Sequence, residues 1–377
     1  MKLTRYKLGD LIVQRREKNE GFDVPIRGVS REGFIKPKQQ DADTSIYNVF
    51  YRNDFVFNPA RMELNSIALN LEFDKALCSS LYEVFYVKDQ SIVLPEFLNL
   101  HIKRDEFARH CEYIGSGSAR EYCRVAQISE FDIDLPSIEV QQKVVDANRL
   151  LAKRIDTNKK LIATLEQTAQ TLYRHTFIDN IDPNNLPEGW RMGTVADLVT
   201  TQYGYTEIAT EEKVGPKFLR ITDIVGSQID WNSVPHCPIT ESEYKKYQLK
   251  EGDIVVSRTG ANIGYAKQIR GEIPEAVYAS FLVRLKPNDG IYNWYLGLSV
   301  DSQEYKDFIF ANQQGSAQPQ ANANVMGQYP IAIPDEKTLK TFNSVIYPIL
   351  RKISLHQLEI SKLNEMKPLL LSKMGRI

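Results

Sequence analysis

The sequence lacks the features that would indicate secretion, membrane insertion or a structural metal. Only four of its 377 residues are cysteine, and none of them has CxxC spacing (Cys78, Cys111, Cys123, Cys237). This argues against a zinc site and is typical of reduced thiols in the cytosol. No apolar run approaches the roughly 18 residues of a membrane span, and the charged N-terminal stretch contains no apolar core of a signal peptide. We therefore expect a cytoplasmic protein without membrane contact.

Motifs for catalysis are also missing. There is no GxxxxGK[ST] phosphate loop. Asn58-Pro59-Ala60 lacks the aromatic residue of the Asn-Pro-Pro-aromatic motif, and the acids of Asp335-Glu336-Lys337 fit the start of a helix, where the helix dipole favours them. The sequence predicts no catalytic residue, no metal and no cofactor in this chain. A net charge of −1 excludes a uniformly basic protein but leaves room for a local basic surface.

Two halves of the chain repeat each other. Gly117-Ser118-Ala119 returns as Gly315-Ser316-Ala317, at an offset of 198 residues, and a segment ending in Pro136 returns as one ending in Pro334 at the same offset. Asn53-Asp54-Phe55 similarly matches Gly252-Asp253-Ile254 at 199. Such a period is far too long for a solenoid repeat and indicates a duplicated domain.

Each copy has a mixed pattern. Short apolar runs at residues 55–57, 254–256 and 279–285 are bounded by Gly, Asp and Pro and predict strands. Aromatic and leucine residues three or four apart predict helices over residues 95–109 and 292–310. We expect an α+β fold with two similar strand-rich domains.

A heptad pattern follows each strand-rich part. Nine positions from Val144 to Leu172 alternate in spacing between four and three, and adding 198 gives the same series from Phe342 to Leu370. The central seam residues of the two series are Leu151, Ile155, Asn158, Ile162, Leu165, Ile353, His356, Ile360 and Leu363. Two paired antiparallel helices, a coiled coil with a pseudo-twofold axis, explain the matched lengths. An amphipathic helix packed against its own domain is the alternative.

The predicted division has four parts. Residues 1–136 and 179–334 form the two strand-rich domains, and residues 137–178 and 335–377 form a central and a distal spacer helix. A helix of 40 residues is about 60 Å long. Antiparallel pairing would place similar domains at the two ends of a rod, and would bring the middle seam residues, Asn158 and His356, together. A long, regular target read at two places, such as duplex DNA, suits this arrangement.

This order of domain, helix, domain and helix resembles the specificity subunit of type I restriction-modification systems. The resemblance continues in Leu186-Pro187-Glu188-Gly189-Trp190, in Gly252–Gly260 (GDIVVSRTG) and in Gly315–Gln320 (GSAQPQ), and it covers essentially the whole chain. The first copy departs from it, with Arg120 in place of Gln318 and residues 55–59 (FVFNP) in place of a Ser-Arg ending.

The resemblance implies a non-catalytic DNA-recognition subunit. Each target recognition domain would read one half of a bipartite, asymmetric duplex target, while the helices set the spacing and dock the partners. Those partners are two DNA adenine methyltransferase (modification) subunits, which use S-adenosylmethionine, and the restriction (translocase-nuclease) subunits. A specificity subunit for a fused methyltransferase-nuclease, and a scaffold that joins two protein-binding heads, remain as alternatives.

Candidate DNA-facing residues are basic, aromatic or amide side chains in turn-rich segments. Such groups anchor phosphates and read base edges, although any one of them can equally be a solvated surface residue, and the GSAQP stretch can equally be a tight connection into the helix. The candidates are Arg27, Arg31, Lys36, Lys38, Ser118, Arg120, Tyr203, Tyr205, Lys217, Arg258, Thr259, Asn262, Gln318 and Gln320.

Overall fold

The fold is taken from a computed structural model that describes residues 3–37, 43–115, 122–179, 181–226, 228–313 and 320–374. The chain divides into two compact units: Met1–Arg154 with Leu363–Ile377, and Ile155–Lys362. Two long helices, defined below, run through both units. No helix within the described ranges is both long enough and apolar enough to span a membrane.

The first unit is built on a four-stranded antiparallel sheet with the order β2-β9-β6-β7. Its central strand β6 is buried along its whole length, and Phe55 of this strand stacks on Phe85 of β9 at 4.8 Å between ring centroids. Strands β1 and β10 form a separate ladder, as do β3 and β4, and β5 and β8. The strands among the described residues of this unit are β1 (Thr4–Lys7), β2 (Ile12–Arg15), β3 (Gly28–Val29), β4 (Phe34–Ile35), β5 (Asn48–Tyr51), β6 (Asp54–Phe57), β7 (Ile67–Leu69), β8 (Lys75–Cys78), β9 (Glu83–Val87) and β10 (Asp132–Leu135).

The second unit repeats this plan. Its main sheet has the order β12-β17-β14-β15, and β11 pairs with β18 as β1 pairs with β10. β13 and β16 run parallel, and in the first unit Ile26 likewise forms a parallel bridge with Leu77 of β8. The strands are β11 (Arg191–Thr194), β12 (Val199–Tyr203), β13 (Lys217–Leu219), β14 (Ile254–Ser257), β15 (Ala266–Gln268), β16 (Ala276–Tyr278), β17 (Leu282–Pro287) and β18 (Pro330–Ile333).

The turn before the central strand keeps the same backbone in both units. Asn53 has φ 68° and Gly252 has φ 91°, and each stands directly before the aspartate that opens β6 or precedes β14. Glycine and asparagine are the residues that reach the left-handed region most easily. The Asn-Asp and Gly-Asp pairs of the repeat therefore mark one structural turn.

The strand and helix predictions need two corrections. Residues 279–285 are not one strand, because β16 ends at Tyr278 and a turn separates it from β17. Residues 95–109 and 292–310 are each two helices, because the chain turns at residues 103–104 and again at 301–302, where the Ser302 side chain caps the next helix. The helices are α1 (Leu8–Leu11), α2 (Pro95–Ile102), α3 (Asp105–Gly115), α4 (Val125–Ile128), α5 (Ile138–Phe177), α6 (Glu241–Tyr247), α7 (Asn293–Val300), α8 (Gln303–Ala311), α9 (Ala323–Gly327) and α10 (Glu336–Met374).

The heptad seams face inward. Within the second unit the seam residues Ile155, Asn158, Ile162, Ile353 and Ile360 are buried, while Leu165 and His356 are half-buried. Leu151 and Leu363, in the first unit, are half-buried as well. Burial along one stripe of each helix is what a paired seam requires.

The direction of pairing follows from two contacts inside the second unit. Asn158 contacts His356, and the Phe177 ring lies 4.7 Å from the Phe342 ring. The residue number on α10 thus falls as the number on α5 rises, so these parts of the helices are antiparallel.

A buried aspartate at the start of each central strand, Asp54 in β6 and Asp253 just before β14, pairs with an arginine. Arg15 of β2 donates from Nε to Asp54 at 2.7 Å, and Arg284 of β17 donates to Asp253 at 3.3 Å. Arg15 pairs across the sheet with Val84, and Gln202 pairs with Arg284. The two cross-strand pairs occupy equivalent positions in the two sheets. The arginine lies on the first strand of the pair in one sheet and on the second strand in the other. Burial raises the pKa of both aspartates, and the neighbouring arginine opposes that rise.

Candidate nucleic-acid interface

The loop after β14 gathers four of the predicted residues. The Arg258 guanidinium lies over the Tyr203 ring, 5.1 Å from its centroid, and Thr259 forms a backbone bridge with Gln320. The Tyr203 hydroxyl accepts a hydrogen bond from the Ala323 amide at 3.1 Å. Tyr203 remains 42% exposed. An aromatic face and a guanidinium thus lie side by side, with the Gln320 backbone paired to the next residue, a combination that suits stacking and hydrogen bonding to bases.

Arg258 is held in place but not fully used. Its amide donates to the Phe281 carbonyl at 3.1 Å, and its carbonyl accepts from Ala321 at 2.9 Å. Its side-chain Nε is buried without a hydrogen-bond partner among the described residues. A guanidinium presents five donors in a fixed fork, and the half-buried Arg258 side chain has the donor geometry that suits a bidentate ligand.

The same anchor recurs in the first unit. Cys123 donates its amide to the Pro59 carbonyl at 3.0 Å, as Ala321 donates to Arg258. The repeat places Cys123 at the position of Ala321 and Pro59 at that of Arg258. In both units, therefore, the segment that follows the Gly-Ser-Ala motif is tied to the loop leaving the central strand.

A shallow cavity marks the equivalent region of the first unit. It has a volume of about 200 Å³. Arg15 is fixed there between the Tyr51 and Tyr86 rings, at 4.8 and 4.7 Å from their centroids, and Arg16 is exposed. The lining residues are Gln14, Arg15, Arg16, Lys18, Asn48, Ser80, Tyr82 and Glu83.

Sequence reasoning missed this cavity. The signal was present, because Lys7–Ile12 (KLGDLI) resembles Thr194–Val199 (TVADLV) at an offset of 187 residues. Adding this offset to Arg16 gives Tyr203, which was among the candidates. Tyr122, at the position of Gln320, was missed as well; it is 38% exposed, and the Arg124 guanidinium lies 5.5 Å from its ring centroid.

Two of the basic residues predicted in the first unit lie in or just after a hairpin. Arg31 and Lys36 are exposed in and after the β3–β4 hairpin, whose tip is closed by a Ser30–Gly33 hydrogen bond. Lys103 fastens the hairpin by donating to the Arg31 carbonyl at 2.8 Å. Burial, followed by the nearby Arg31 charge, lowers the pKa of Lys103 to about 8. The Arg27 guanidinium packs 4.6 Å from the centroid of the Phe73 ring and donates to its neighbour's carbonyl.

Three other candidates in the second unit have different surroundings. Asn262 is half-buried in the β14–β15 connection, and its carbonyl accepts from the Tyr265 amide. The Tyr205 hydroxyl donates to Glu243 at 3.2 Å, and burial, followed by that carboxylate, raises the pKa of Tyr205. The Lys217 ammonium donates to the Val234 carbonyl at 2.6 Å.

Four candidates lie outside the described residues: Lys38, Ser118, Arg120 and Gln318. Among the described residues, no group of three or more His, Cys, Asp or Glu side chains is placed to hold a metal ion. All four cysteines are free and buried.

Comparison with known proteins supplies the family. Residues 187–367 match the family described as the type I restriction modification DNA specificity domain. Over 304 residues the chain is 23% identical to a protein named as the specificity subunit of the type I restriction enzyme MjaIX of Methanocaldococcus jannaschii, covering 75% of this chain and 68% of the relative. Over 95 residues it is 33% identical to the HindI specificity subunit of Haemophilus influenzae, covering 25% of this chain and 20% of that one.

A solved structure shares the fold. It is the type I restriction-modification S subunit from M. genitalium, with a TM-score of 0.59 and 13% identity, over 99% of this chain and 96% of that one. The domain match, the shared description of the relatives and the duplicated fold agree with one another. Residues 187–367 belong to the family of type I restriction modification DNA specificity domains, and the relative that aligns with most of the chain is named as a type I specificity subunit.

Proposed function

We infer that this chain is the DNA sequence-recognition subunit of a type I restriction-modification complex. The observation that carries the inference is the repeated anchor, Cys123 to Pro59 and Ala321 to Arg258, which ties the loop that leaves each central strand to the segment that begins at Tyr122 or at Gln320. Two similar loops with different side chains suit a target whose two halves differ in sequence. Family membership does not favour a fused-nuclease variant or a scaffold without DNA.

The roles divide between domains and helices. We assign residues 1–136 and 179–334 as target recognition domains, and α5 and α10 as the spacer and docking helices. Adenine methylation, with S-adenosylmethionine, and DNA translocation and cleavage then belong to the modification and restriction subunits that join this chain on DNA. Two modification subunits match its internal duplication.

Support for particular DNA contacts differs among the candidates. Tyr203, Arg258, Thr259 and Gln320 form the strongest set because the Arg258 guanidinium lies over the exposed Tyr203 ring and the next residue, Thr259, bridges to Gln320. In the first domain, the cationic side chains around the cavity, Arg16 and Lys18, form the equivalent set, and Arg31 and Lys36 supply phosphate contacts.

The test begins with the target. The chain is first expressed with the adenine methyltransferase subunit of its own system, and methylated adenines are mapped in the host DNA. Binding of the assembled complex is then measured on a duplex that carries the mapped motif. We expect salt-dependent binding at least 1,000-fold tighter than to a scrambled duplex. Binding without sequence preference would contradict the proposal.

An exchange of residues 1–136 for the first domain of another family member tests the division of labour. Only one half of the mapped motif is expected to change. If both halves change, the two domains are not independent readers.

A further inference from the structure

Leu81 and Phe281 are large apolar side chains left in water. Leu81 is 75% exposed and Phe281 is 57% exposed. A single exposed apolar residue is ordinary. These two, however, occupy one position of the repeat, because Glu83 pairs with Phe57 in the first sheet as Val283 pairs with Val256 in the second.

Leu81 and Phe281 each lie in a turn that is closed by the same kind of backbone hydrogen bond. The Tyr82 amide donates to the Ser79 carbonyl at 3.0 Å, and the Leu282 amide donates to the Ala279 carbonyl at 2.8 Å. The strand after each turn lies inside the main sheet of its unit. Each exposed side chain is therefore presented from a fixed backbone, so that little conformational entropy is lost when it binds.

Polar or cationic residues adjoin each of the two exposed residues. The Phe281 carbonyl accepts the Arg258 amide, and Ser280 donates to the Tyr205 carbonyl, so the tip adjoins the proposed base-reading set. In the first unit, Ser80 and Tyr82, on either side of Leu81, line the cavity that also contains Arg16 and Lys18. A protein-docking site would favour a wider apolar patch with a polar rim. An isolated apolar side chain among cations instead matches duplex DNA, which offers phosphates to the cations and base faces to the apolar group.

We propose that Leu81 and Phe281 are apolar wedges, each of which inserts at a base step of the half-target read by its own domain. Such a wedge partly unstacks the step and kinks the duplex, at an energetic cost that depends on the sequence being deformed. The wedges thus add sequence discrimination at a step where no hydrogen bond is made. This proposal rests on the DNA-recognition function proposed above.

The experiment uses the assembled complex and duplexes that carry the mapped motif with 2-aminopurine at successive positions. Wild-type complex is expected to raise the 2-aminopurine fluorescence at one step in each half-target, and Phe281→Ala is expected to abolish the rise in one half only. Affinity should fall about tenfold with an unchanged salt slope, because no phosphate contact is lost. Leu81→Ala should do the same in the other half.

Two further variants serve as controls. Phe281→Leu is expected to keep most of the affinity, because leucine fills this position in the first domain. Met192→Ala removes a 42% exposed side chain from β11 and should change neither signal.

Three results would overturn the wedge. If Phe281→Ala keeps the normal motif preference, affinity and fluorescence, the wedge is refuted and the recognition function is not. Loss of methyltransferase assembly in that variant would assign Phe281 to a protein contact instead. Absence of any motif preference in the wild-type complex would refute the recognition function and the wedge together.

Discussion

Asn158 Oδ1 lies 3.2 Å from His356 Nδ1, so the middle residues of the two heptad seams contact each other. The heptad spacing and the repeat predicted this pair, and the contact confirms it. Asn158 is fully buried, and its Nδ2 has no hydrogen-bond partner among the described residues. A buried polar residue in a seam fixes register at a cost in stability.

Replacing this pair with Asn158→Leu/His356→Leu should therefore raise stability. We expect an increase on the order of 1–2 kcal/mol, because two polar groups no longer need to be desolvated. Calorimetry would show a higher Tm for the transition of the second unit. The distribution of distances between spin labels at the exposed positions 160 and 352 should broaden, because the register constraint is gone.

The single variants and a surface exchange complete this test. Asn158→Leu alone should stabilise less, because it removes the Asn158 contact of the half-buried His356 imidazole and leaves Glu359, 3.9 Å away, as its neighbour. Gln167→Leu, at an exposed position of α5, should leave the Tm nearly unchanged. A lower Tm in the double variant would show that the pair stabilises the helices.

The buried arginine-aspartate pairs predict that the arginine can be supplied from either strand of the cross-strand pair. Arg15→Gln should destabilise the first unit by about 3 kcal/mol, because it leaves Asp54, whose side chain is 2% exposed, without its cation. Adding Val84→Arg supplies an arginine from the opposite strand of the cross-strand pair, as Arg284 does in the second unit, and should recover part of the loss. Urea unfolding followed by hydrogen exchange in β6 measures both effects. If stability does not recover, the arginine cannot be moved to the opposite strand of the first unit.

The periodic features of the fold could be predicted from the sequence. The duplication, the central strands and the two long helices follow from repeated motifs and from apolar spacing, which local interactions impose directly. Even the contact of Asn158 with His356 could be predicted, because the heptad positions and the repeat offset of 198 residues together determine which seam residues meet in an antiparallel pair.

The proximity of loops could not be predicted. That Arg258 stacks on Tyr203, 55 positions earlier in the chain, depends on the pairing of β12 and β14 with β17, which no local pattern specifies. The ammonium of Lys217 bonds the Val234 carbonyl because a long connection returns beside β13. Each of the two predicted helix segments is broken by a single turn, and Ser302 caps the helix that follows one of them. The apolar spacing continues across such a turn, so the sequence pattern does not reveal the break.

Arg258 should carry part of the electrostatic binding to DNA. For the assembled complex, Arg258→Ala is expected to lower affinity for the mapped motif about tenfold and to reduce the slope of log K against log salt by about one. Arg258→Lys should restore the slope but not the full affinity, because an ammonium lacks the planar fork that stacks on Tyr203.

Lys217→Gln is the comparison for this experiment. Its ammonium already donates to the Val234 carbonyl, so we expect an unchanged salt slope and a lower Tm. A reduced slope for Lys217→Gln together with an unchanged one for Arg258→Ala would reverse the two roles.

His101 should make the first unit sensitive to acid. Burial, followed by the Arg104 charge, lowers the pKa of His101 from its usual 6.5 to about 4. Between these values the unfolded chain binds a proton that the folded chain does not, so stability is complete above pH 6.5 and falls as the pH drops toward 4. The loss amounts to at most about 3 kcal/mol at pH 4. His101→Phe, which can pack on Phe97 as the imidazole does at 4.9 Å, should remove this component. Urea unfolding of both proteins at several pH values between 7 and 4 provides the measurement, because the carboxylates that titrate in the same range are common to the two proteins and cancel in the difference. An equal loss of stability in both would show that the His101 imidazole is protonated inside the fold without cost.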